Sequence, residues 1–187
     1  MISLAAGDDE EILGRVEAEI HFQRGRTLFR AGRFEDALAA LTAACEVDPT
    51  YNRARAAKAH ALKRLGRFQE ALAEVEAVLA VEPANAVALA TKGSALQMMH
   101  RQEEGQRAFQ DALAAAGPED QFLVHYNYAC FWANADNAEM CRVHLRRALT
   151  LEPDKKRVAA ADRDFRRFAT APWFQNLVAF SSYDQER

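Results

Sequence analysis

Eight side chains in this sequence carry imidazole or thiol groups: His21, His60, His100, His125 and His144, and Cys45, Cys130 and Cys141. Imidazoles near neutral pH can move protons or ligate a metal, and thiolates can attack or ligate. Their spacing gives them no shared task. The histidines are scattered. The cysteines are odd in number and form no CxxC pair, which argues against a disulfide framework and a structural zinc site. The sequence has no GxxxxGK[ST], GxGxxG, HExxH or GxSxG. No catalytic residue, metal ligand or cofactor site is assigned, and the expectation is a protein that is not an enzyme.

The bulk properties narrow the classes further. The chain has 187 residues, half of them apolar and 27% charged, the profile of a globular domain with a sizeable core. Alanine occurs 39 times and glycine plus proline only 13 times, which favours close-packed helices. A net charge of −3 disfavours general nucleic-acid binding, since phosphate contacts need excess Lys and Arg. No apolar run approaches the ~18 residues of a membrane span, and MISLAAGDDEE lacks a basic n-region. The expected location is cytoplasmic, with neither nucleic acid nor membrane as partner.

The elements that position the side chains come from an internal repeat. Arg24, Lys58 and Lys92 fall in register at steps of 34, as do Leu28, Leu62 and Leu96, and Ala37, Ala71 and Gly105. AGRFEDAL at 31–38 returns as LGRFQEAL at 65–72. A fourth copy follows at an offset of 36: Leu96 maps to Trp132 and Gly105 to Cys141, with the extra residues near 117–121. Within one unit, Phe22, Gly25, Leu28 and Phe29 have helical spacing, Gly32 stops that helix, and Phe34 to Cys45 form a second stripe ended by Asp48-Pro49. One helix pair cannot bury its own apolar face, so the copies must stack.

This register resembles the tetratricopeptide repeat (TPR) family. The family's small positions are held by Gly25, Ala37 and Ala44 in the first copy, with Leu28 and Leu41 at large positions and Pro49 near the end. The resemblance implies an all-α fold: a right-handed α-α solenoid of four helical hairpins over residues 16–153 (18–51, 52–85, 86–119 and 122–155). An extension at 1–15, disordered over 1–7, would precede it, and capping helices at 154–187 would follow it. Residues 126–177 look like the end-of-array repeat of bacterial TPR proteins. The resemblance places His21 and His125 at a packing position and Cys141 at a small core position. Cys130 would lie on the concave side, where a reactive thiol stays open.

At the ends, the acids at 8–11 suit a helix N-terminus, and Ile12, Leu13 and Val16 either extend the first helix or bind something. Residues 155–168 read as one amphipathic helix with Val158, Ala161, Phe165 and Phe168 on one side. Pro172 starts a short helix, Trp173 to Phe180, which either caps the array or occupies a groove.

In TPR arrays the first helix of each repeat lines the concave face. The resemblance therefore implies partner-binding candidates Phe22, Arg26, Phe29, Arg30, Arg53, His60, Lys63 and Arg64 in the first half, and Thr91, Ser94, Gln97, Met98, Tyr126 and Asn127 in the second. The first half holds five cations against one acid, Glu19, and guanidinium forks suit carboxylates. The expected function is non-enzymatic protein–protein binding by an adaptor or scaffold, with an acidic peptide segment in the basic half. The matching positions Phe22, Arg26, Ala57, Val87 and Thr91 lack the carboxylate clamp that grips chaperone tails. A chaperone for a secreted substrate and a self-associating homodimer stay open.

Overall fold

A computed structural model describes residues 5–179, of which 5–9 by backbone alone; residues 1–4 and 180–187, including Phe180, lie outside it. The described residues form an all-α fold. Four helical hairpins follow one another: α1 (Ala5–Arg30) with α2 (Phe34–Val47), α3 (Asn52–Arg64) with α4 (Phe68–Val81), α5 (Ala86–Met98) with α6 (Gln102–Ala115), and α7 (Gln121–Asn134) with α8 (Ala138–Leu151). The C-terminal part adds 3-10 turns at Pro153–Lys155 and Arg163–Phe168 and short helices α9 (Lys156–Ala161) and α10 (Pro172–Val178). The chain divides into two compact units, residues 1–83 and 84–187.

The hairpin turns explain the register. Each places one residue in the left-handed region at the same repeat position: Gly32, Gly66, His100 and Asp136, with φ of 77°, 76°, 62° and 58°. The following amide then bonds back across the turn: Arg33, Arg67, Arg101 and Asn137 donate to the carbonyls of Leu28, Leu62, Leu96 and Trp132 at 2.9–3.0 Å. This is the Schellman closure of a helix C-terminus. The next helix starts with a local lock: Arg33 pairs with Asp36, Arg67 with Glu70 and Arg101 with Glu104, while Asn137 accepts from the Met140 amide.

Small residues set how closely the hairpin helices approach. A Cβ at Gly25 would stand 2.6 Å from Leu41 Cγ, and one at Gly93 would stand 2.9 Å from the Gly105 carbonyl oxygen. In the first unit, Phe22, Leu41, Ala44, Ala54 and Ala61 form a buried cluster. In the second, one larger cluster runs from Ala86 through Phe109, Phe131 and Leu145 to Phe165 and Phe174.

At the N-terminal end one of the two expected courses is taken, and in the C-terminal part the structure differs from the sequence expectation. Helix α1 starts at Ala5, well ahead of the repeat register, so Ile12, Leu13 and Val16 do extend the first helix. Residues 155–168 are not one helix. Asp162 leaves the helical region, accepts from the Asp164 amide through Oδ1 and from the Tyr126 hydroxyl through Oδ2. That break turns Ala159, Phe165 and Phe168 inward and leaves Val158 and Ala161 outside.

Candidate functional site

In the first unit, three of the predicted residues, Phe22 and Arg26 of α1 and Arg53 of α3, meet around one ring. Phe22 is almost fully buried and tilts against Tyr51 at 5.2 Å between centroids. The guanidinium carbons of Arg26 and Arg53 lie 5.5 and 5.3 Å from the Phe22 centroid, while both arginines stay exposed. This is cation–π geometry, which orders long side chains without removing their hydrogen-bond donors from water. Phe22 is thus the floor of the cluster, not a free contact.

One carboxylate already sits there. The Tyr51 hydroxyl and the Gln23 amide both donate to Glu19. These bonds, with the charges of Arg53 and Arg26, hold the Glu19 carboxyl below its ordinary range. Burial, and then the bond to Glu19, push the Tyr51 hydroxyl up to about 12. Neither Glu19 nor Tyr51 was among the sequence candidates. Glu19 was visible only as the one acid in a basic face, and Tyr51 falls at the last position of its repeat, outside the helix that lines the face.

A second group lies along the same helices. Phe29 contacts Phe34 edge-on at 5.2 Å and His60 at 4.9 Å. The guanidinium of Arg64 lies 4.5 Å from the Phe34 centroid. Burial, then the charges of Lys63 and Arg64, hold His60 well below the ordinary histidine value, so it is neutral at pH 7. Arg30 is exposed at the end of α1, and Lys63 is half-buried. The other cations of α3 have a different job: Arg55 and Lys58 both pair with Glu74 of α4, at 3.2 and 2.7 Å.

In the second unit most candidates are engaged within the fold. The Thr91 and Ser94 hydroxyls donate to the carbonyls of Val87 and Ala90 on their own helix, the usual helical back-bond. Gln97 donates to the Phe131 carbonyl, and Tyr126 is buried with its hydroxyl on Asp162 at 2.8 Å. Burial, with Cys130 and Asp162 beside it, raises the Tyr126 hydroxyl far above its ordinary value. Asn127 is half-buried, and Met98 is exposed.

The thiols and histidines have structural surroundings. Cys141 is fully buried and its thiol is pushed up to about 12; burial also raises Cys45. Two histidines that looked scattered in sequence meet: His125 and His144 place their Nδ1 atoms 3.0 Å apart. Among the described residues, no three of His, Cys, Asp and Glu converge on a metal-sized site. No described helix is long and apolar enough to cross a membrane.

Comparisons with known proteins agree with this architecture. Residues 28–95 match the family model for the tetratricopeptide repeat. Among the curated proteins, no sequence matches the chain. Solved structures with the same fold include a thermophilic TPR protein of Thermus thermophilus, 18% identical, with a TM-score of 0.71 over 86% of each chain. PilF of Pseudomonas aeruginosa is 25% identical with a TM-score of 0.62, covering 88% of this chain and 77% of its own. The first TPR of Spaghetti (RPAP3), bound to the HSP90 peptide SRMEEVD, is 21% identical with a TM-score of 0.52 over 54% of this chain and 80% of its own. With the family model on residues 28–95, from the end of α1 into α5, and the same turn closure in all four hairpins, the fold is that of tetratricopeptide-repeat proteins.

Proposed function

We propose that this chain is a non-enzymatic adaptor or scaffold module whose α1–α3 face in the first unit takes an acidic peptide segment. The TPR fold supports the coarser part, a protein-interaction module. The finer part rests on one observation: Arg26 and Arg53 flank the Phe22 ring while Glu19 is held ionised beside them. The surroundings of Glu19 favour a carboxylate, and the exposed arginines still have donors for another. Phe29, Phe34 and Arg64 extend the same chemistry along the helices.

The Spaghetti repeat carries a peptide with two glutamates and an aspartate on the same fold. Here the clamp positions differ, so the recognition would use stacked arginines in place of that clamp. The test is fluorescence anisotropy with a labelled peptide of alternating Glu and apolar residues and its Gln counterpart. The expected result is binding of the Glu peptide alone, weakened by salt and lost in Arg26→Glu with Arg64→Glu at unchanged helicity. Equal binding of both peptides, or equal binding by both proteins, would overturn the reading.

A further inference from the structure

The arginine face contains one feature that a surface built only for acids does not need. Glu19 is half-buried on α1, one turn ahead of the Phe22 ring, and its carboxyl is held below the ordinary range. An exposed guanidinium beside a carboxylate can close on it as a charge-assisted, forked pair. That closure is not made here: among the described residues, no Lys or Arg stands within ion-pair distance of Glu19.

Its partners are neutral instead. The Tyr51 hydroxyl donates to one carboxylate oxygen and the Gln23 side-chain amide to the other. Gln23 also stands between acid and base, because its amide oxygen accepts from Arg26 at 3.5 Å. Tyr51 is fixed in turn by its ring against Phe22. Two neutral donors thus hold the carboxylate in place and leave its charge uncompensated, while the guanidiniums of Arg26 and Arg53 stay over the ring. Each carboxylate oxygen can accept a further bond. The face therefore presents a fixed negative site next to a positive one.

We propose that Glu19 is a second recognition element of this face, the acceptor for a basic side chain of the ligand, so that the segment selected carries an acid and a base close together. Phe22 and Arg26 follow Glu19 by three and seven residues, which sets the two sites about 5–10 Å apart along the helix axis. An extended segment covers that distance in about two or three residues. A segment with a base at that spacing meets opposite charge at both sites. A uniformly acidic one sets a like charge against Glu19, which disfavours it. This inference rests on the acidic-segment reading of the face and narrows it.

The test is fluorescence anisotropy of the full chain with two labelled peptides of equal length. One alternates Glu with apolar residues, and in the other every second Glu is replaced by Lys. Glu19→Gln removes the charge and keeps the shape and an acceptor for Tyr51. The expected result is opposite responses at unchanged helicity: the variant binds the Glu peptide about threefold more tightly and the mixed peptide about threefold more weakly than the wild type does. The same response of both peptides, or none, would leave Glu19 a purely structural role and overturn the inference, while binding of the Glu peptide by the wild type keeps the acidic-segment reading. Binding of neither peptide by the wild type would overturn both.

Discussion

His125 on α7 and His144 on α8 share one hydrogen bond, Nδ1 to Nδ1 at 3.0 Å, across the fourth hairpin. One ring must donate and the other accept, so the accepting ring must be neutral. The Tyr128 ring packs on His144 at 4.3 Å, and Arg147 faces His125 with positive charge. The same two repeat positions hold Arg55 and Glu74 in the second hairpin, an ion pair at 3.2 Å. One geometric site, where a residue of the first helix meets one of the second, thus accepts either opposite charges or two imidazoles.

This pair predicts a pH dependence. Burial, then the charge of His125, lowers His144 from 6.5 to about 4, and burial and Arg147 lower His125 as well. A histidine whose folded value is depressed adds stability that is complete above its unfolded value and lost as pH falls towards the folded one. Unfolding by urea should therefore become easier between pH 6.5 and about 4, by roughly 3 kcal/mol at the lower limit. His144→Leu should flatten that part of the profile. An unchanged slope in the variant would place the acid sensitivity elsewhere.

The glycines predict opposite effects of one substitution. A Cβ at Gly105 would stand 2.8 Å from the Gly93 carbonyl oxygen and 3.0 Å from Phe131, and the backbone oxygen cannot turn aside. Gly105→Ala should destabilise by about 2 kcal/mol. Gly14 lies in α1 with nothing within 4 Å of an added Cβ. Gly14→Ala should stabilise by about 0.5–1 kcal/mol, since it removes only backbone freedom. Urea midpoints at one pH check both signs.

The C-terminal part predicts a stability loss without a change of mass. Phe165 is fully buried in the second unit's cluster, against Tyr126 and Phe174. Phe165→Ala should cost about 3–5 kcal/mol. If residues 154–179 act as the cap of the array, this variant melts earlier and sediments as wild type does at the same concentration. A lost dimer at retained stability would make the segment an assembly element instead.

The repeat was legible because packing positions leave a period in residue size. Gly25, Ala59 and Gly93 sit at one register because two helix backbones meet there, and the turn signal was direct where Gly32 and Gly66 mark it. His100 and Asp136 adopt the same left-handed conformation without the residue type that announces it, so only the register reveals them. The break at Asp162 was hidden because periodicity cannot see a side chain that bonds to a helix 36 residues earlier. The site was legible as a charge imbalance, Arg26, Arg53 and Arg64 against Glu19. Its geometry was not: that Phe22 is a buried floor and Tyr51 a donor to Glu19 depends on how α1 packs against the start of α3.

If the arginines stacked on Phe22 and Phe34 receive an acidic segment, their guanidinium groups must sense it. Arginine Nε–Hε resonances of the 20.9 kDa chain, followed by NMR while a Glu-containing peptide is titrated in, report each guanidinium separately. The predicted result is saturable shifts at Arg26, Arg53 and Arg64, with Arg55, held by Glu74, unmoved. Shifts confined to Arg142 and Arg146 on the exposed side of α8, or no shifts at peptide saturation, would contradict it.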